Sequence, residues 1–171
     1  MMQEQERSRV ARRSSAWGAR MIPRLSIQSD PFDVAAEIAA LSAATDGRAG
    51  AVVSFTGLCR DEGGRLAALE LEHYPGMAEE EVGRVLDEAA RRWPLDGVTV
   101  IHRHGRIRPG EGIVLVLTAS AHREAAFAAA SFLMDYLKTR APFWKREHLR
   151  DGTMGGWVEA TAQDEAAAGR W

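Results

Sequence analysis

The run Ile113-Val114-Leu115-Val116-Leu117-Thr118 meets no polar residue before its last position, so it has no face to give to water. A strand of this kind has to be covered on both sides. A helical stripe follows it at once: Ala126/Phe127, Ala130, Leu133/Met134 and Leu137 recur at helical spacing. Ser120 can cap that helix, which reads on to about Thr139. Pro142 limits it, because the residue before a proline is pushed out of the α region.

The preceding chain supplies further elements. Ser29-Asp30-Pro31 reads as a helix start, with Val34, Ile38 and Leu41 recurring as far as Ala44. Gly50 to Thr56 reads as a strand, and Leu58 to Arg65 as a polar loop. Leu66 to Tyr74 alternates, with Leu69, Leu71 and His73 on one face and Glu70, Glu72 and Tyr74 on the other. After a Pro75-Gly76 turn, Ala78 to Trp93 carries the stripe Val82, Val85, Leu86, Ala89. Val98 to Arg103 predicts a strand, Trp157 to Ala160 a last short one, and Gln163 to Trp171 a helical tail. Strands and helices mix without strict βαβ alternation, which predicts a single α+β domain over residues 25–171 with a mixed or antiparallel sheet.

Residues 1–24 differ from the rest. Six arginines (Arg7, Arg9, Arg12, Arg13, Arg20, Arg24) against Glu4 and Glu6 give a local charge of +4, so the remainder carries −6 to reach the total of −2. Lacking apolar periodicity, this stretch reads as a disordered basic tail. A transit peptide is also Arg- and Ser-rich, although its poverty in acids does not suit Glu4 and Glu6; a translation start at Met21 is a further reading. The total charge gives no global pull toward nucleic acid or membrane, and the longest apolar run is too short to span a bilayer. A single cysteine, Cys59, excludes an intramolecular disulfide and suits a reducing, cytoplasmic compartment.

Any positive site must therefore be local, and the run Met134 to Glu147 supplies one. Lys138 and Lys145 lie either side of Pro142, among Tyr136, Phe143 and Trp144. A lysine desolvated there has its pKa lowered and can act as acid, base or nucleophile; snorkelling cations at a helix end are the alternative. Arg140, Arg146 and Glu147 read as an exposed ion network on the same criterion. His122-Arg123 falls in the first turn of the long helix, where unpaired N–H groups favour anions, or else forms a surface pair. Arg60 can fork onto phosphate oxygens, and Cys59 beside it is either a sulfur-carrying thiolate or a small buried hydrophobe. His73 reads as a core histidine. His102 and His104 are spaced for one strand face but lack a third ligand, so no metal site is expected.

The segments Val53-Ser54-Phe55-Thr56-Gly57, Leu71-Glu72-His73-Tyr74-Pro75-Gly76-Met77, Arg92-Trp93-Pro94-Leu95, Val100-Ile101-His102-Arg103, Ser120-Ala121-His122-Arg123 and Met134 through Glu147 lie within about residues 30–171. Together they resemble the catalytic (large) subunit family of molybdopterin synthase. The resemblance implies a hammerhead-like fold and a homodimer at the centre of a heterotetramer. It also implies a small ubiquitin-like sulfur carrier ending in Gly-Gly, docked on each protomer. The implied reaction passes sulfur from the carrier's C-terminal thiocarboxylate to cyclic pyranopterin monophosphate, forming the molybdopterin dithiolene, with no metal or organic cofactor. The family's substrate positions fall on Leu58, Cys59, Arg60, His122, Arg123, Lys138, Lys145, Arg146 and Glu147, with Lys138 and Lys145 implied as catalytic. Two positions depart from the family pattern: lysine is frequent where Leu58 stands, and valine where Cys59 stands. A Cys59 persulfide sulfurtransferase, or a non-catalytic module binding a ubiquitin-like tail or phosphate, are the alternative readings.

Overall fold

A computed structural model describes residues 21–158 and 162–171. In chain order the elements are β1 (Ile22–Gln28), α1 (Val34–Ala44), β2 (Ala51–Leu58), β3 (Leu66–His73), α2 (Met77–Arg92), β4 (Leu95–Arg103), β5 (Gly105–Ile107), β6 (Gly112–Ser120), α3 (Arg123–Thr139), β7 (Phe143–Leu149), β8 (Met154–Val158) and α4 (Ala162–Ala168). A short 3₁₀ turn, Glu62–Gly64, interrupts the loop between β2 and β3.

The strands form two sheets. The larger has the order β1-β4-β6-β2, and the smaller β5-β3-β7-β8. β1 runs parallel to β4, whereas the other pairs are antiparallel, so the α+β class with mixed pairing is borne out. β4 passes into β5 across His104 alone, which ties the two sheets together by one short stretch of backbone.

The apolar run around Ile113 to Thr118 becomes β6, an inner strand of the larger sheet. Val114 and Val116 meet α2 and α3 on one side, with Val82, Leu86, Phe132 and Leu133. Leu115, Leu117 and Ala119 meet α1 on the other, through Leu41 and Ile38. Both faces are thus covered, as the lack of alternation required. A third, smaller core of Cys59, Leu66, Leu71 and Ile107 lies on the smaller sheet, where Phe143 and Leu149 pack against it.

Several boundaries differ from the sequence reading. β1 takes in residues 22–24, which the basic composition assigns to the tail; the rest of that stretch up to residue 20 lies outside the described residues. α1 starts three residues later than Pro31 suggests, because Asp33 is its cap and accepts from the Ala36 N–H at 3.1 Å. The intervening Phe32 fills the space over Gly112, where an added Cβ would stand 2.6 Å from the ring. Ser120 is no helix cap: it closes β6, and its hydroxyl donates to the Pro94 carbonyl at 2.8 Å. His122 takes the cap position of α3, without a side-chain cap bond. β5 was not foreseen, and β8 ends at Val158, with Ala160 outside the described residues.

Candidate active site

The cationic run resolves into two elements joined by a tight turn. α3 ends where the Arg140 N–H donates to the Tyr136 carbonyl at 2.9 Å, and Pro142 then delivers the chain into β7. β7 lies between β3 and β8, with Lys145 opposite Leu71 on one side and Val158 on the other. Side chains alternate along a strand, so Phe143, Lys145, Glu147 and Leu149 share one face and Trp144, Arg146 and His148 the other.

The contacts identify which face is inner. Phe143 stacks on His102 with ring centroids 3.7 Å apart, and Leu149 packs into the small core. Lys145 therefore points toward the protein body. On the outer face Arg146 reaches Glu70 and Glu72 at 3.3 and 3.1 Å and lies 4.9 Å over the Trp157 ring. Trp144 meets Tyr74 edge-on. Arg146 and Lys145, neighbours in sequence, are thus turned to opposite sides of the sheet.

The inner lysine is electrostatically unusual. Burial pushes its pKa down, the nearby Lys138 ammonium pushes it further, and Asp164 opposes both. Lys138 is exposed in the last turn of α3, whereas Lys145 is half-buried. The pair places one solvated cation beside one that can lose its proton more readily than an ordinary lysine. Glu147 shares the inner face two positions on, and its Cβ lies so near Gly155 that a side chain there would approach to 3.2 Å.

Below β7, His102 is buried and neutral. Its pKa falls to about 4, chiefly through burial, and its Nδ1–H donates to the Arg103 carbonyl at 2.9 Å. His73 is half-buried, not fully in the core as its strand face suggested: its ring lies 4.5 Å from that of His104 and 6.1 Å from that of Phe143. Among the described residues no group of three histidine, cysteine or acidic side chains is arranged to hold a metal ion.

Of the remaining predicted residues, Cys59 belongs to the small core against which Phe143 and Leu149 of β7 pack. Leu58 ends β2 with 59% of its surface exposed. Arg60 is exposed and pairs with Glu62 at 2.7 Å. Cys59 between them is buried: its thiol faces the Ile107 carbonyl at 3.7 Å, and burial pushes its pKa up. That is a packed small side chain, not a low-pKa thiolate. His122 and Arg123 are exposed at the N-terminal end of α3. Lys138 is sixteen positions further along the same helix, or about 24 Å at 1.5 Å per residue. One protomer therefore does not bring His122 and Arg123 to the lysine pair.

The outer ion network yields a pH-dependent expectation. The hydrogen bond with His148 (Nε2 to Glu70 Oε2, 2.6 Å) pulls the Glu70 carboxyl below the usual glutamate range against the effect of burial, and Arg146 adds to it. A depressed carboxylate pKa stabilises the fold above its unfolded value and is lost as pH falls through the folded one. Glu70→Gln is expected to cost about 1 kcal/mol at pH 7. The deficit in Tm should shrink below about pH 4.3, and thermal melts across that range check it.

Two sheets, with a lysine pair where a helix passes into an inner strand, define an α+β protein with a local cationic site and a net charge of only −2. Residues 27–140 match the family profile of the MoaE protein. The chain belongs to the MoaE protein family. The molybdopterin synthase catalytic subunit of Mesorhizobium japonicum is 70% identical over 153 residues, covering 88% of this chain and 94% of that protein. The Escherichia coli K12 protein of the same name is 50% identical over 150 residues, covering 86% and 97%. Among solved structures, the MoaE protein of Burkholderia ambifaria MC40-6 superposes with a TM-score of 0.75 at 47% identity, covering 88% of this chain and 98% of that one. Molybdopterin synthase from Staphylococcus aureus gives 0.68 at 30%, covering 77% and 96%.

Proposed function

We propose that this chain catalyses sulfur transfer from the C-terminal thiocarboxylate of a small ubiquitin-like carrier to cyclic pyranopterin monophosphate, forming the dithiolene of molybdopterin. The observation that carries the reading is the Lys138–Lys145 pair, one solvated and one half-buried with a lowered pKa. Sulfur reaches the site already activated on the carrier, so the protein has to bind an anion, position it and move protons. Lys145 suits proton transfer, and Lys138 at the rim suits stabilisation of developing negative charge. Glu147, on the inner face, orients the site beside Lys145. Arg146 acts from the outer face, where its ion pairs fix the β3–β7 ladder.

The phosphate contacts come from His122 and Arg123, with Arg60 and the backbone beside Leu58 and Cys59 added from the other end of the β2–β6 ladder, where Leu58 pairs with Gly112. Because α3 separates His122 from Lys138 by about 24 Å, we assign the completing His122 and Arg123 to a second copy of the chain in a homodimer, with one carrier on each protomer. The proposed compartment is the cytoplasm, which suits the lone reduced thiol.

Reconstitution of the full chain with thiocarboxylated carrier and the cyclic pterin should give dithiolene product, and carrier ending in an ordinary carboxylate should give none. Absence of product with the thiocarboxylate form sinks the reading. Cys59→Ala is expected to keep turnover within about twofold, since a buried thiol held at the Ile107 carbonyl lacks the thiolate character needed to carry sulfur. Loss of sulfur transfer in that variant would instead support a persulfide route.

A further inference from the structure

The last residues of the chain are fastened to α3. The Trp171 indole N–H donates to Asp135 Oδ2 at 2.6 Å, and the ring meets Trp93 and Phe132 edge-on at 5.6 and 5.7 Å. The Arg170 guanidinium also binds Asp135, at 2.9 Å, while Arg92 donates to the Trp171 carbonyl at 3.0 Å. These contacts draw on α2, α3 and the residue that ends α2, so they fix the segment to the rigid body rather than to a loop.

The other end of the segment lies by the lysines. Val158, the last residue of β8, is opposite Lys145, and α4 begins four positions later and packs along α3. Asp135 of the clamp is one helical turn before Lys138, so clamp and lysine lie on neighbouring parts of one face of α3. Asp164 is half-covered in the first turn of α4, unlike the exposed Ala162, Gln163 and Glu165 around it.

We propose that residues 162–171 are a positioning element for the catalytic lysine: the Trp171 clamp fixes α4 along α3 so that Asp164 stands against Lys145. This rests on the role assigned to Lys145 above. Among the described residues, the charged or titratable groups acting on Lys145 are Lys138 from α3, Asp164 from α4 and, beneath it from β4, the neutral His102. Lys138 and burial both favour loss of the Lys145 proton, and Asp164 retains it. The clamp thereby sets the balance between the protonated and neutral forms of the lysine, acting through Asp164 without touching substrate.

The test titrates Lys145 directly in the full chain without substrate, from the pH dependence of its acylation by limiting acetic anhydride, read by mass spectrometry of the peptide that contains it. Asp164→Asn should move the Lys145 midpoint downward, and Trp171→Ala should move it in the same direction from a distance. The double variant should shift no further than the larger single one, since both act through one contact. Trp171→Phe, which keeps the ring packing, should move it less than Trp171→Ala. In the reconstituted reaction, the basic limb of the pH profile should follow the titration. An Asp164→Asn midpoint coincident with the parent overturns the proposal, as does a folded Trp171→Ala protein with an unmoved midpoint. Asp164→Asn decides it alone if Trp171→Ala fails to fold. A missing turnover in the parent protein would count against the proposed reaction and not against this assignment, because the titration needs no substrate.

Discussion

Lys138→Ala is expected to reduce sulfur transfer by about 10²- to 10⁴-fold, the range for losing a charge-stabilising or proton-transferring group. Lys138 is exposed at the end of α3, so the melting temperature should stay close to that of the parent. A second consequence has a definite sign. The Lys138 ammonium is one of the forces that lower the Lys145 pKa, so its removal should raise that pKa toward the ordinary lysine value. Lys145→Ala should be at least as damaging as Lys138→Ala, and Lys145→Arg should not rescue it, because a guanidinium cannot release its proton in this range. Single-turnover rates with thiocarboxylated carrier measure these effects. Parent-like turnover in Lys138→Ala would remove the residue from the reaction.

Mixed dimers give the second large effect. A chain carrying Lys138→Ala and a chain carrying His122→Ala with Arg123→Ala are each expected to be inactive alone. Combined in one dimer, they should restore one intact site in two. In that site the unaltered Lys138 of one protomer meets the unaltered His122 and Arg123 of the other. The expectation follows from helix length: sixteen residues of α3 hold these groups about 24 Å apart within one chain. Were the site complete in a single protomer, mixing would recover nothing. Differently tagged chains, co-purified as the mixed species and assayed with excess carrier, distinguish the two outcomes.

Much of the fold was legible wherever burial imposes a strong pattern. α2 and α3 show their stripes because one face of each is solvated, and β6 shows an unbroken apolar run because neither of its faces is. β1 was obscured by Arg24 and Pro23, which a parallel edge strand tolerates and an inner strand does not. The start of α1 was misplaced because Pro31 resembles a first helical residue, while Pro31 stays exposed and Phe32 packs against the core before Asp33 caps the helix. The spacing in β7 was hidden by its composition. Charged side chains occupy both faces, so hydrophobicity does not alternate although geometry does.

The site was readable as a set of residue types but not as an arrangement. Lys138 and Lys145 are brought together as their position around Pro142 suggested. Arg146 adjoins Lys145 in sequence, and only the pairing of β7 with β3 separates them. His122 and Lys138 both belong to α3, and nothing in their spacing as text signals that a straight helix keeps them apart. Asp164 gave no signal at all, since an acid in a short polar helix is ordinary until the chain around it is folded.

The opposite orientation of Lys145 and Arg146 also dictates which genetic changes this region can survive. Exchanging one side chain for another in β7 alters only the contacts of that residue. Deleting or inserting one codon between Phe143 and Lys145 would instead move every later side chain of the strand to the other surface, putting the arginine inside and the lysine into solvent. Homologues should therefore vary in spelling across this strand while keeping its length constant.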